Sequence, residues 1–365
     1  MNLQKAGFVG LGLIGGSVAK AIRQYVPDCQ IVAFDKNKEA LALAIQEGTI
    51  NTSCSGIDDN FQNCDYIFLC APISYNNAYL CQLKDVITPG CILTDVGSVK
   101  TSIHEEIARL DMEDCFIGGH PMAGSEKTGF VNSKALLLEN AYYVMTPTES
   151  VPKEKVEEYR ELITLIHAIP LILDYKQHDF ITGTISHLPH IIASSLVNLV
   201  RDTDTKDELM KNMAAGGFKD ITRIASSSPV MWQQICLKNK TYISEILDAY
   251  IHELQNVKSS IDESDERELY RMFQSSRDYR NSIPGNSSGP IKKFNDIYCD
   301  IVDEAGGIAA IATILASNNI SIKNIGIIHN REFEDGVLHI EFYDHDALER
   351  ASVLLKKYHY TVYDQ

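Results

Sequence analysis

The stretch Gly10-Leu11-Gly12-Leu13-Ile14-Gly15 constrains the fold more than any other. It is a G-x-G-x-x-G that follows a short apolar run, Ala6 to Val9, and leads into a segment of helical periodicity. Glycines at this spacing allow a tight strand-to-helix turn, close approach of a pyrophosphate to the backbone, and close helix-to-sheet packing, roles that fall to Gly10, Gly12 and Gly15 in turn. The N–H groups of Leu13, Ile14 and Gly15 open the helix, lack intrahelical partners and suit a phosphate. Asp35 closes the second apolar run, about 20 residues beyond Gly15, where a carboxylate accepts from a ribose 2′-hydroxyl and repels a 2′-phosphate. NAD is therefore expected rather than NADP. The bland alternative is a glycine turn beside an unrelated surface aspartate.

The pattern around this fingerprint points to an α/β domain, a Rossmann-type doubly wound sheet over residues 1–175. Short apolar runs alternate with helical segments, the signature of a parallel sheet with crossover helices. The strand candidates are Ala6 to Val9, Ile31 to Phe34, Tyr66 to Cys70, Cys91 to Thr94, Cys115 to Ile117, Tyr142 to Met145 and Leu171 to Leu173. Ile14, Val18 and Ile22 put one apolar stripe against the sheet, and Val156, Tyr159, Ile163 and Ile166 form another. Strand signals then vanish, and residues 176–280 read as an all-helical substrate and dimerisation domain. Ser228-Pro229 is a helix start, and Pro189 should kink or break a helix around His187 to His190. Pro, Gly and Ser enrichment marks residues 281–293 as a linker. Residues 294–365 follow as a small βαββαβ, ferredoxin-like unit.

Composition excludes several functions. With 33 Lys and Arg against 49 Asp and Glu, the formal charge of −16 leaves no basic surface for nucleic acid. No apolar run approaches the roughly 20 residues of a membrane span, and the chain enters its first strand without a charged and apolar leader, so a cytoplasmic protein is expected. The nine cysteines are scattered without a C-x-x-C pair, which argues for reduced core filler rather than zinc or disulfides.

Three further segments are hard to explain as packing. Thr94-Asp95-Val96-Gly97-Ser98-Val99-Lys100 follows a strand and reads as a crevice loop at the carboxyl edge of the sheet. Gly118-Gly119-His120-Pro121-Met122-Ala123-Gly124-Ser125-Glu126-Lys127 does the same after the next strand. A histidine there would ordinarily be a plain loop residue; beside a nicotinamide it suits the base that takes a hydroxyl proton as hydride leaves. The third comprises Ser186-His187-Leu188-Pro189-His190 and Gly216-Gly217-Phe218-Lys219-Asp220-Ile221-Thr222-Arg223-Ile224-Ala225. His187 and His190 lack an acidic or cysteine partner at usable spacing, so no metal is expected. Arg223 reads equally as a solvated helix residue or as a planar donor to a substrate carboxylate.

Taken in order through nearly the whole chain, these segments resemble the prephenate dehydrogenases, and Asp303-Glu304-Ala305-Gly306-Gly307-Ile308 resembles the start of an ACT regulatory domain. The resemblance implies NAD-dependent oxidative decarboxylation of prephenate to 4-hydroxyphenylpyruvate. His120 would be the base, Ser98 its orienting neighbour, and Arg223 the partner of a substrate carboxylate. His190, His187 and Glu126 would line the pocket. A homodimer through the helical domain is implied as well. Tyrosine is the expected effector, its carboxylate received by Gly306, Gly307 and Ile308 at a helix start and its amino group by Asn324 on a neighbouring strand. Rival readings are an arogenate dehydrogenase, a non-catalytic amino-acid sensor and a generic 3-hydroxyacid dehydrogenase.

Overall fold

The computed structural model describes residues 3–124, 127–283, 295–301, 306–328 and 336–363. The chain divides into two compact units, residues 1–289 and 290–365.

The first unit is built on an eight-stranded sheet of β1 (Lys5–Val9), β2 (Gln30–Phe34), β3 (Thr52–Cys54), β4 (Tyr66–Leu69), β5 (Ile92–Asp95), β6 (Phe116–Pro121), β7 (Tyr142–Pro147) and β8 (Ile169–Ile172). Its order is β3-β2-β1-β4-β5-β6-β7-β8, and the first six strands follow the doubly wound arrangement with its switch point between β1 and β4. Strands buried on both faces read as continuous apolar runs, as in Tyr66-Ile67-Phe68-Leu69. On one face Phe8 and Phe68 pack with Val18, Ile22, Tyr159 and Ile163. On the other, Ile67, Leu69 and Leu93 meet Phe61, Leu80, Ile103 and Ile107.

Two details differ from the sequence pattern. The short β3 carries too little alternation to announce itself. The sheet is also not parallel throughout, because β7 runs antiparallel to β6 and β8 follows β7. Among the described residues between β6 and β7, only the single turns Phe130–Asn132 and Ala135–Leu138 have helical form, and without a crossover helix a strand returns antiparallel.

Gly10 makes the turn out of β1 with φ +104, and a Cβ there would lie 2.7 Å from the Cys70 carbonyl carbon at the end of β4. No other residue fits this crossing of the two central strands.

Beyond β8 the unit is helical. Ser228 caps the helix Pro229–Lys238 by accepting from Met231 N, as its sequence predicts. Pro189 behaves differently from expectation, because the backbone stays helical from Tyr175 to Thr203. The turn Gly183–His187, just before the proline, is instead a π-helix between Tyr175–Thr182 and Leu188–Thr203. Pro189 has no N–H to donate and its ring crowds the carbonyl four residues back, and one widened turn absorbs both effects. Among the described residues, this helix alone is long and apolar enough to cross a membrane by length and composition. Yet His178 and Asp179 within it are fully buried, and Asp179 bonds the sheet domain through Lys100 N and Thr101 N.

In the second unit, β9 (Asp296–Ile301), β10 (Ile322–Ile328), β11 (Gly336–Phe342) and β12 (Val362–Tyr363) form an antiparallel sheet of order β10-β11-β9-β12. Helices Gly307–Ser317 and His345–Lys357 complete the ferredoxin-like order, around a core of Ile297, Cys299, Leu338, Ile340, Ile311 and Leu355.

Candidate active site

The glycine loop fits a dinucleotide. Gly12 is the N-cap of helix Leu13–Tyr25 without a side-chain capping bond, so the N–H groups of Leu13 and Ile14 lack a side-chain acceptor there. A Cβ on Gly12 would meet nothing within 4 Å, which leaves open space where a pyrophosphate would approach. Gly15 is buried in the first turn of the helix. Asp35 reaches back across the crevice, accepting from Leu11 N at 2.6 Å and from Asn37 N at 2.7 Å. Its carboxylate is thereby fixed at the end of β2, beside the loop it would serve.

The loop after β5 is fixed just as firmly. Asp95 Oδ2 accepts from Gly97 N at 2.8 Å and from Lys100 Nζ at 2.5 Å. Asp95 Oδ1 accepts from Gly119 N at 3.1 Å, while Lys100 Nζ donates to Gly119 O at 2.6 Å. Both members of this ion pair are buried, and each has further hydrogen bonds besides the pair itself, the condition under which buried charges persist. Burial lowers the Lys100 pKa against the opposing pull of Asp95. The pair therefore clamps the residue just before His120 and flanks half-buried Ser98, which has no hydrogen bond among the described residues. A Cβ on Gly119 would stand 2.5 Å from Asp95 O, so this contact requires glycine.

His120 sits near the end of β6 and forms one end of a chain of hydrogen bonds. Its Nδ1 lies 2.8 Å from His178 Nε2, and His178 Nδ1 lies 2.8 Å from Asp179 Oδ1. Burial pushes Asp179 up, but bonds from His178, Thr101 and Lys100 outweigh it and hold the carboxyl below the usual range. Burial lowers the pKa of His178. For His120 it lowers the pKa well below the ordinary 6.5, with further depression from the charges of His178, Lys100 and His187. Both rings are therefore neutral near pH 7, and the order of donors follows. An ionised carboxylate only accepts, so His178 Nδ1–H donates to Asp179. His178 Nε2 must then accept, and His120 Nδ1–H donates to it. The lone pair is left on His120 Nε2, as a general base requires.

His178 and Asp179 were not singled out from the sequence. The sequence offered little signal, because both lie in the polar segment Asp174-Tyr175-Lys176-Gln177-His178-Asp179. Their contact with His120 spans 58 residues, which no local pattern reveals.

The remaining substrate candidates gather on the helical side. His187 is buried and His190 half-buried; His190 stacks on Trp232 with centroids 3.7 Å apart, and His187 meets the same ring edge-on. Arg223 begins the short helix Arg223–Ser226. It is exposed and close enough for its charge to lower the His190 pKa, after burial and against the bond from the Ser186 carbonyl. Glu126 lies outside the described residues. No group of three or more metal-ligating side chains occurs among the described residues.

The expected effector residues do not come together within one copy of the second unit. Gly306 precedes helix Gly307–Ser317 with φ +99, and Ile308 follows in its first turn. Asn324 lies on β10, which is separated from β9 by β11. Register aligns Asn324 with Glu341, and Glu341 with Asp296, at the start of β9. The glycines follow the far end of that strand, roughly 17 Å away along it. Asn324 therefore does not reach an amino acid held at Gly306 and Gly307 of the same chain.

Comparison with known proteins agrees with this geometry. Residues 18–169 match the family model described as prephenate dehydrogenase, nucleotide-binding domain, and residues 174–275 match prephenate dehydrogenase, dimerization domain. A prephenate dehydrogenase of Bacillus subtilis is 38% identical over 344 residues, 94% of this chain and 93% of the relative. The structure of prephenate dehydrogenase from A. aeolicus in complex with hydroxyphenyl propionate and NAD+ superposes with TM-score 0.73 at 30% identity, covering 78% of this chain and 99% of that one. Synechocystis arogenate dehydrogenase gives TM-score 0.70 at 29% identity, over 77% of this chain and 100% of that one.

Proposed function

The chain belongs to the prephenate dehydrogenase family, and from that membership we propose that it oxidises prephenate with NAD, releases the ring carboxylate as CO2 and forms 4-hydroxyphenylpyruvate. The observation that carries this reading is the Asp179–His178–His120 chain, which leaves a basic nitrogen free at the carboxyl edge of the sheet.

Bound NAD would supply the hydride acceptor, held by the Gly10 to Gly15 loop and Asp35. His120 Nε2 accepts the substrate's hydroxyl proton as the carbon beneath it is oxidised, and returns the proton when loss of CO2 makes the ring aromatic. His120 thus ends each turnover neutral. Ser98 orients the hydroxyl, Arg223 pairs with a substrate carboxylate, and His187, His190 and Glu126 line the pocket. Aromatisation makes the step effectively irreversible. NADH absorbance with prephenate and with arogenate tests the reading. Faster turnover of prephenate is expected, and NADH formation from arogenate alone would make the chain an arogenate dehydrogenase, the reading favoured by its likeness to the Synechocystis structure.

Residues 1–175 form the nucleotide-binding domain, 176–280 the substrate and dimerisation domain, 281–293 a linker and 294–365 an ACT regulatory domain. Exposed Leu199, Leu237, Ile251, Leu254 and Phe273 on the helical segments suit a homodimer. Nine unpaired thiols suit the reducing cytoplasm. Tyrosine is the effector, bound at Gly306, Gly307 and Ile308. Contact with Asn324 would have to come from a second copy. Removing residues 290–365 should leave turnover largely intact and abolish tyrosine inhibition that is not competitive with prephenate. Full potency in the truncated enzyme would place the sensor elsewhere.

A further inference from the structure

Asn239 joins the helices Pro229–Lys238 and Lys240–Asp262 and is the N-cap of the second, yet its side chain makes no capping bond. An asparagine at that position ordinarily satisfies the first N–H groups of its own helix. Here the amide is turned inward and buried. Its Nδ2 donates to Asp179 O at 2.8 Å and lies 3.0 Å from His187 Nδ1. Gly183 leaves the room for it, since a Cβ there would come within 3.4 Å of Asn239 Nδ2 and 2.9 Å of Ile246 Cδ1.

The Asp179 carbonyl can only accept, so the nitrogen end of the amide must face it. The same nitrogen faces His187, and its second hydrogen has His187 Nδ1 as acceptor. We propose that Asn239 is a positioning residue that fixes His187 as the Nε2–H tautomer, so that the free ring nitrogen of His187 offers a donor to a substrate oxygen.

This rests on the proposed substrate role of His187. The two pocket histidines then play opposite parts: His120 shows a lone pair and His187 shows an N–H. Burial keeps His187 neutral, pushing its pKa down to about 4; Asp179 opposes this, and His178 and His190 add to it. His120 is coupled to His187 as well. Asp179 stands behind both outcomes, its carboxylate setting His178 and its backbone carbonyl orienting Asn239.

The test is long-range nitrogen–proton NMR of the full chain with isotopically labelled histidine and no substrate, with His187 identified by loss of its signals in His187→Gln. A proton on Nε2 and a bare Nδ1 at neutral pH are expected; a proton on Nδ1, or on both nitrogens, overturns the proposal. In Asn239→Asp the new carboxylate accepts from Nδ1, so the proton should move there and the ring should titrate at higher pH. KM for prephenate should rise about tenfold, the scale of one lost charge-assisted bond, with a smaller change in kcat. An unchanged tautomer in that variant overturns the role of Asn239. If it does not fold, the spectrum of the unmodified chain still decides the tautomer. Because the spectrum needs no substrate, failure of prephenate turnover would count against the function alone.

Discussion

The glycine loop and the His120 chain lie at the same carboxyl edge of the sheet, with β4 and β5 between them, but they are assembled in opposite ways. The loop is one contiguous turn, met from the next strand by Asp35 and the Phe34 carbonyl. The base draws on β6, on the helix Tyr175–Thr182, and on the Lys100 and Thr101 N–H groups that hold Asp179. A contiguous turn tolerates loss of one contact, because the backbone holds its shape. A chain of tautomers does not, because each proton position depends on the one before.

The largest expected effect follows from that dependence. His120→Asn removes the base and should lower kcat by roughly two to four orders of magnitude, with a smaller change in KM. Asp179→Asn should approach the lower end of that range with His120 intact, since an amide no longer dictates the His178 tautomer. Its Lys100 and Thr101 contacts make a thermal melt the necessary control. Near-normal turnover in Asp179→Asn would show that the base works without its chain, and the contrast with the glycine loop would fail.

Arg223→Ala sharpens the comparison on the substrate side. The residue is exposed, and its loss should act mainly on binding. KM for prephenate should rise about ten- to a hundredfold, the worth of a hydrogen bond to a charged group, while NAD affinity holds. Weaker NAD binding with an unchanged prephenate KM would move Arg223 to the cofactor half of the site.

The smallest effect belongs to the loop. Asp35→Ser should narrow the preference for NAD over NADP in kcat/KM without abolishing turnover. Equal use of the two cofactors by the unmodified chain would contradict the role given to Asp35.

Legibility followed the same division. The fingerprint, the strand candidates and the stripes Val18 and Ile22, or Tyr159 and Ile163, could be read because each depends on neighbours a few residues away. The reversal of β7, the π turn that absorbs Pro189, and the service of His178, Asp179 and Asn239 depend on distant packing and left no local period. In the C-terminal unit the same limit took another form: the βαββαβ order was readable, but strand order and register separate Asn324 from Gly306.

That a half-buried, neutral His120 is the base is tested most directly by the pH dependence of kcat/KM, which reports the free enzyme. Lowering of the pKa by burial and by neighbouring positive charge keeps the ring unprotonated at neutral pH, so activity is lost only as pH falls through that depressed value. The acid limb should lie below pH 6.5 and be absent from the residual activity of His120→Asn. A limb at or above 6.5, or one that persists unchanged in the variant, would assign the titrating base to another group.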